Sequence, residues 1–248
     1  MSQLATEVRI ADVDLDPAEV DLDSLSTVLS ADELARADRF VTAELRRRYI
    51  ICRATLRKLL AERLQREPST LRFHYQQWGK PQLADAPPGV HFNVTHSADR
   101  ALIALSSVPV GIDLEVANDR IQFRSIARQV LSEFEKPTWE ALPFAQQESS
   151  MMQLWVCKES LLKAMGLGIA EGLKRTTLPL PIPEEPFLPK RIDGSLQLEL
   201  EEDASCQMNS WLDARQWTVS LIRSDEQATA ALTTFGGTPK IDWIAPHS

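Results

Sequence analysis

Three short stretches hold the side chains that could act together in chemistry. They are Gly111-Ile112-Asp113-Leu114-Glu115, Trp155-Val156-Cys157-Lys158-Glu159-Ser160-Leu161-Leu162-Lys163 and Phe92-Asn93-Val94-Thr95-His96-Ser97. The first sets two carboxylates two residues apart, and the second adds Glu159 between Lys158 and Lys163. Carboxylate oxygens are ligands for a hard divalent cation. Ammonium, imidazole and hydroxyl groups suit phosphate oxygens. A site combining them is suited to a metal-bridged polyphosphate.

The elements that must position these groups follow from periodicity. Val110, Ile112 and Leu114 alternate with Gly111, Asp113 and Glu115, so a strand puts both carboxylates on the face opposite the apolar one. Taken alone, Asp-x-Glu is the polar face of a half-buried strand, although Gly111 also permits close backbone approach. On a helix over Met151 to Met165, the residues Met151, Leu154, Trp155, Leu162 and Met165 form one apolar stripe with Lys158 in its middle. Glu159 and Lys163, four apart, lie together at the stripe's edge. A surface Glu–Lys pair with Lys158 extending its head to water is the plain reading of that helix by itself. Phe92 and Val94 alternate with Asn93 and Thr95 in a strand that delivers His96 and Ser97 at its end, and a Gly79-Lys80-Pro81 turn precedes it.

The rest of the chain bounds these possibilities. With 248 residues and a formal net charge of −8, it is long enough for a sizeable core and too acidic for a general nucleic-acid binder. Its three cysteines are far apart, with no Cys-x-x-Cys pair, which indicates neither a disulfide framework nor a zinc site. No basic leader or membrane-length apolar run is present, so a reduced, cytoplasmic setting without membrane attachment is expected. Strands are expected at Val8 to Val13, Leu71 to Tyr75, Phe92 to Thr95, Ala101 to Ser106, Val110 to Glu115, Leu196 to Glu201 and Trp217 to Ile222. Helices are expected from Ser30, where Ser30-Ala31-Asp32-Glu33 fits a capping box, over Ala43 to Gln65, around Ser132, and over Met151 to Met165. Five prolines between Pro179 and Pro189 indicate an extended loop.

Two segments echo each other. Val28-Leu29-Ser30-Ala31-Asp32-Glu33 parallels Val130-Leu131-Ser132-Glu133-Phe134-Glu135, and Ile51 to Lys58 parallels Val156 to Lys163, at offsets of 102 and 105 residues. Chance similarity of amphipathic helices produces such matches, and so does duplication. Duplication predicts an α+β protein of two similar α/β halves, 1–108 and 109–248, about a pseudo-twofold axis with the active site in the cleft between them. Arg53 and Lys158 would be symmetry mates. Ala54 would stand opposite Glu159, so that only one half completes a metal site.

Taken together, the motifs resemble the Sfp-type 4′-phosphopantetheinyl transferases, whose pattern contains a G-K-P turn, an F-N-x-S-H-S strand end, a G-[IV]-D-[IVL]-E strand and a W-x-x-K-E-[AS]-x-x-K helix. All four occur here in that order, and the resemblance covers roughly residues 29 to 170, with Thr95 replacing the usual serine. It implies transfer of 4′-phosphopantetheine from coenzyme A to a serine of an apo acyl, peptidyl or aryl carrier protein, with release of adenosine 3′,5′-bisphosphate. Such carriers serve fatty-acid, polyketide or peptide synthesis. It further implies Mg²⁺ held by Asp113, Glu115 and Glu159, and coenzyme A phosphates held by Arg53, Lys80, His96, Ser97, Lys158 and Lys163. Lys163 would steady developing charge, and Glu159 would be the general base, directly or through a metal-bound water. The length and two-half organisation favour a monomer. The basic helix face of Arg46, Arg47, Arg48, Arg57, Lys58, Arg63 and Arg66 is either a solvated face or one that steers an acidic carrier. A metal-dependent phosphodiesterase or nucleotidyl transferase would use the same carboxylates, and a non-catalytic coenzyme A-binding module is the third reading.

Overall fold

Two helices of 22 residues and two antiparallel-rich sheets position the three stretches. The computed structural model describes residues 6–116, 122–193, 214–225 and 227–245. In chain order, β1 (Thr6–Asp14) is followed by α1 (Leu22–Ser26), α2 (Ala31–Ala37) and the long α3 (Ala43–Leu64). The hairpin of β2 (Phe73–Tyr75) and β3 (Pro81–Leu83) leads to β4 (His91–Ser97), β5 (Arg100–Ser106) and β6 (Val110–Val116). Then come α4 (Ala127–Val130), α5 (Lys136–Glu140), the second long helix α6 (Phe144–Met165) and α7 (Ile169–Arg175). Two short strands follow, β7 (Thr176–Thr177) and β8 (Arg191–Ile192), and last β9 (Trp217–Ser224), β10 (Ala228–Phe235) and β11 (Pro239–Ile244).

One sheet has the order β11-β1-β5-β4, the other β6-β10-β9. Strands β1, β5 and β10 bury side chains on both faces, and the faces sort into separate cores. Val8, Ile10, Leu102 and Ala104 of the first sheet meet Val110, Ile112, Leu114, Ala228, Ala230 and Leu232 of the second. On its other face, the first sheet packs Ala11, Val13, Ile103 and Leu105 against Leu56, Leu59 and Leu60 of α3. The second sheet packs Trp217, Val219 and Ala231 with Leu154, Leu161 and Leu162 of α6. The order of layers is therefore helix, sheet, sheet, helix, which makes the fold a mixed α+β one.

The expected capping box is formed: the Ser30 N–H donates to Glu33 Oε2 at 3.0 Å and starts α2. α3 is opened by Thr42, whose hydroxyl accepts from the Leu45 N–H, and it closes on Gln65 in the left-handed region. Some boundaries differ from the sequence reading. Around Ser132 a turn whose Glu135 and Lys136 amides donate to the Ser132 carbonyl leads into α5, whose regular part begins at Lys136. α6 begins at Phe144, a full two turns before Met151. The strand expected over Leu196 to Glu201 lies outside the described residues. β10 and β11 were not expected. β10 is rich in small residues and buried along nearly its whole length, so it shows no polar–apolar alternation. β11 pairs in parallel with β1, so the sheet of the first half ends in a strand from the far end of the chain.

The tightest crossing in the fold joins β6 to α6. A Cβ on Gly111 would lie 2.0 Å from the Ser160 carbonyl oxygen and 2.3 Å from the Ala164 nitrogen, so strand and helix touch backbone to backbone. Gly111→Ala has no rotamer that relieves this overlap and must push α6 off the sheet. A loss of about 1–3 kcal/mol or more is expected, read as a lowered denaturation midpoint; an unchanged midpoint would show that the crossing is loose.

Candidate active site

β4 and β6 share no backbone ladder, and side chains fasten them instead. Asn93, Thr95 and Ser97 alternate along β4 and therefore point the same way. Asn93 Oδ1 accepts the Ile112 N–H at 2.8 Å, and Thr95 Oγ1 donates to Asp113 Oδ1 at 3.0 Å. Ser97 Oγ donates to Glu115 Oε2 at 3.1 Å and accepts the Val116 N–H at 3.1 Å. Half of the Phe92-to-Ser97 motif thus aligns the strand that carries Asp113 and Glu115. Thr95 makes its contact through the hydroxyl it shares with serine.

α6 brings the remaining groups to the same place. Trp155 donates its indole N–H to Glu115 Oε1 at 3.2 Å. Lys163 bridges two carboxylates, donating to Asp113 Oδ1 and lying 3.2 Å from Glu159 Oε2. Asp113, Glu115, Glu159 and Lys163 therefore form one cluster, as the sequence indicated. Among the described residues no three acidic, His or Cys side chains stand placed to hold a metal ion together as they are. Lys163 bridges Asp113 and Glu159, and Ser97 and Trp155 hold Glu115.

The charges do not balance. Asp113 and Glu159 are buried, at 2% and 7% exposure, and Glu115 is half-buried. Burial raises the Asp113 carboxyl above its ordinary range against the pull of Lys163. Burial and then the Asp113 charge raise Glu115, and the same two causes push Glu159 up to about 7. Burial opposes the charge on Lys163, but Asp113 and Glu159 outweigh it and hold the ammonium above its usual range. Asp113 Oδ2 is buried without a hydrogen-bond partner. A lone acceptor of this kind, among three carboxylates with one cation, is the donor set that a hard divalent ion satisfies.

A cavity of about 370 Å³ opens beside β4, with Arg36, Arg48, Tyr49, Arg53, Tyr75 and His96 in its wall. His96 is exposed there, on the strand face opposite Thr95 and Ser97. Arg53 is in the wall but not free, since it pairs with Glu33, donates to the Tyr75 hydroxyl at 3.2 Å and lies 4.1 Å over the Phe73 ring. Arg36 was missed by sequence reasoning. Its guanidinium lies 5.6 Å and 5.9 Å over the Tyr49 and Tyr75 rings, with no carboxylate of the described residues in ion-pair reach. The available signal was its place on the helix one turn after Glu33, which puts both on the side facing α3.

Two expectations are corrected by the geometry. Lys158 does not reach phosphate: it is fully buried, donating to Glu135 Oε2 at 2.6 Å and to the Val130 and Leu173 carbonyls at 2.7 Å each. Its place inside the apolar stripe leaves no path to water. Lys80 likewise turns inward, onto the carbonyls of Val110 at 3.2 Å and Lys163 at 2.6 Å, and burial lowers its ammonium to about 8. Part of the basic face of α3 is paired within the chain: Arg46 with Asp38, Arg47 with Asp16, and Arg48 with Asp16 and Glu44, while Arg57 is buried on Glu33. Arg46 and Asp38 stay solvated, at 42% and 67% side-chain exposure, and Arg66 is exposed.

Residues 109–222 match the 4′-phosphopantetheinyl transferase superfamily, and residues 14–108 match the family described as 4′-phosphopantetheinyl transferase, N-terminal. The chain is 37% identical over 209 residues to the 4′-phosphopantetheinyl transferase HetI of Nostoc sp. (strain PCC 7120), covering 83% of this chain and 87% of that one. It is 28% identical over 177 residues to the 4′-phosphopantetheinyl transferase Sfp of Bacillus subtilis (strain 168), covering 71% and 73%. Similarity extends to the L-aminoadipate-semialdehyde dehydrogenase-phosphopantetheinyl transferase of Mus musculus, at 28% over 158 residues, covering 59% of this chain and 51% of that one.

Lys158→Met leaves the Glu135 carboxylate buried without its cation and is expected to cost about 3–5 kcal/mol in chemical denaturation. Adding Glu135→Gln removes the stranded charge and should recover part of that loss. A single variant within about 0.5 kcal/mol of wild type, as for a surface cation, would contradict the buried pair.

Proposed function

The chain belongs to the Sfp-type 4′-phosphopantetheinyl transferases, and we propose that it moves 4′-phosphopantetheine from coenzyme A to a serine hydroxyl of an apo carrier protein with the help of Mg²⁺. The observation that carries the site assignment is the partnerless, buried Asp113 Oδ2 within a cluster of three carboxylates and one ammonium. Asp113, Glu115 and Glu159 would hold the Mg²⁺. When bound, the ion neutralises charge on the pyrophosphate and makes its phosphorus more electrophilic.

The chain's own residues do the rest. Ser97 and Trp155 each bind one oxygen of Glu115, which fixes the plane of that carboxylate. Lys163 supplies the positive charge at the cluster and steadies the phosphate oxygens as the bond to the leaving adenosine 3′,5′-bisphosphate breaks. Glu159, raised to about 7, accepts the proton of the serine hydroxyl on a carboxylate oxygen. Arg36 and His96 in the neighbouring cavity wall are the cations and donors available for the remaining phosphate of coenzyme A, with Tyr49 and Tyr75 offering ring faces. Ser97, Lys80 and Lys158 are omitted from that set because their polar atoms are already engaged.

The reading extends to architecture. Residues 1–108 and 109–248 are two halves about a pseudo-twofold axis, with the site in a cleft between them. The support is a repeated arrangement. The Ser30 N–H donates to Glu33, which binds Arg53, and the Ser132 N–H donates to Glu135, which binds Lys158. One chain supplies every group named, in line with a monomer. Cys52 and Cys157 are free thiols, in line with a cytoplasmic setting, and no helix among the described residues is long and apolar enough to cross a membrane.

Incubation with coenzyme A, Mg²⁺ and a panel of apo acyl, peptidyl and aryl carrier proteins should add one phosphopantetheine mass to at least one carrier, seen by mass spectrometry. Removal of divalent ions should stop it. Asp113→Ala and Glu159→Ala should each abolish transfer while circular dichroism shows the fold intact, and Lys163→Ala should slow turnover. Near-wild-type activity in either carboxylate variant would remove the metal assignment.

A further inference from the structure

We infer that Lys80 is a positioning residue that locks β6 against α6 and thereby sets the spacing of Asp113 and Glu159. The inference rests on the transfer reading above for its kinetic arm only.

Lys80 sits at the tip of the β2–β3 hairpin, after Gly79, whose φ of +82° suits glycine and turns the chain inward. Its ammonium has three protons and meets three carbonyls: Val110 at 3.2 Å, Lys163 at 2.6 Å and Ala164 at 3.5 Å. The first opens the strand that carries Asp113 and Glu115. The other two lie in the last turn of the helix that carries Glu159. Terminal helix carbonyls lack intrahelical donors and form the negative end of the helix dipole, so a cation there satisfies both needs.

The same spot is where Gly111 lets strand and helix touch, and Lys80 closes that crossing from the side. The hairpin tip is itself held. A Cβ on Gly168 would lie 2.9 Å from the Trp78 ring, and one on Gly166 would lie 3.0 Å from Gln76 Oε1, so the tip rests on the backbone just past α6. With its protons engaged and its backbone seated, Lys80 has none left to offer a phosphate. What it controls is the position of one carboxylate-bearing element relative to the other.

Lys80→Met tests this, with Mn²⁺ as the probe of the carboxylate cluster. In the protein alone, Mn²⁺ affinity measured by calorimetry should weaken by about 10-fold to 100-fold, the usual range for groups that orient metal ligands. Hydrogen exchange should accelerate at residues 110–112 and 163–167. In transfer assays kcat should fall while KM for coenzyme A stays within about twofold, the pattern of a lost transition-state arrangement rather than lost binding. A raised KM with unchanged kcat and unchanged Mn²⁺ affinity would make Lys80 a phosphate ligand and overturn the inference, as would wild-type values throughout. If Lys80→Met does not fold, Lys80→Gln retains one donor and should show a smaller deficit in Mn²⁺ affinity; wild-type affinity there also overturns it. Should the wild-type enzyme modify no carrier, the transfer reading fails, yet Mn²⁺ affinity and exchange still decide the role of Lys80.

Discussion

Asp113, Glu115 and Glu159 put three carboxylates into a patch that holds a single ammonium, Lys163, and most of the surrounding structure answers that excess of negative charge. Two like charges 4 Å apart repel by about 4 kcal/mol at an effective dielectric of about 20, comparable to a large part of a domain's net stability. The protein bears that cost in three ways. Lys163 bridges two carboxylates, hydroxyl and indole donors from Ser97, Thr95 and Trp155 occupy others, and burial holds all three acids above their ordinary range. Asp113 Oδ2 is left without a partner, and on the reading proposed above a divalent ion would supply the remaining answer.

Two halves of the chain use one wiring scheme for different ends. A serine amide and a basic side chain from the middle of a long helix converge on one glutamate, Glu33 in the first half and Glu135 in the second. In the first half, Arg53 and Arg57 both reach that glutamate, and Ala54 follows Arg53 as a buried methyl. In the second, Lys158 alone reaches it, and the next residue is Glu159. Only in α6 does that residue carry a carboxylate, which accounts for a single acidic cluster.

The strands, both long helices and the capping box were legible because each is a local pattern: alternation in Val110 to Glu115, a helical stripe through Met151 to Met165, Ser30 with Glu33 three residues on. The cluster itself was legible because alternation and an i, i+4 pair determine which acids share a face. What was not legible depended on partners distant in sequence. β11 has meaning only beside β1, and β10 hides its period because both its faces are buried. The direction of a lysine is the sharpest case. Lys80, Lys158 and Lys163 are the same residue type within related motifs, but carbonyls claim one, Glu135 another, and only the third faces the carboxylates.

Much of the chemistry-bearing sequence therefore builds the frame. Of the six residues from Phe92 to Ser97, Phe92 and Val94 pack beneath α3, and Asn93, Thr95 and Ser97 fasten β6, which leaves His96 as the polar side chain of the motif that lines the cavity, beside Val94. Of the cations near the site, Lys80 ties a strand to a helix, and Arg53, Arg57 and Lys158 tie the long helices to neighbouring helices and turns. Arg36, resting on two tyrosine rings, and Lys163, shared between two acids it would exchange for a metal and a phosphate, are those with interactions weak or replaceable enough to yield to a ligand. A site built this way is rigid in its anions and sparing in its cations. On the transfer reading proposed above, a polyphosphate would then be held chiefly through a metal on the carboxylates, and much less by direct contact between phosphate and protein.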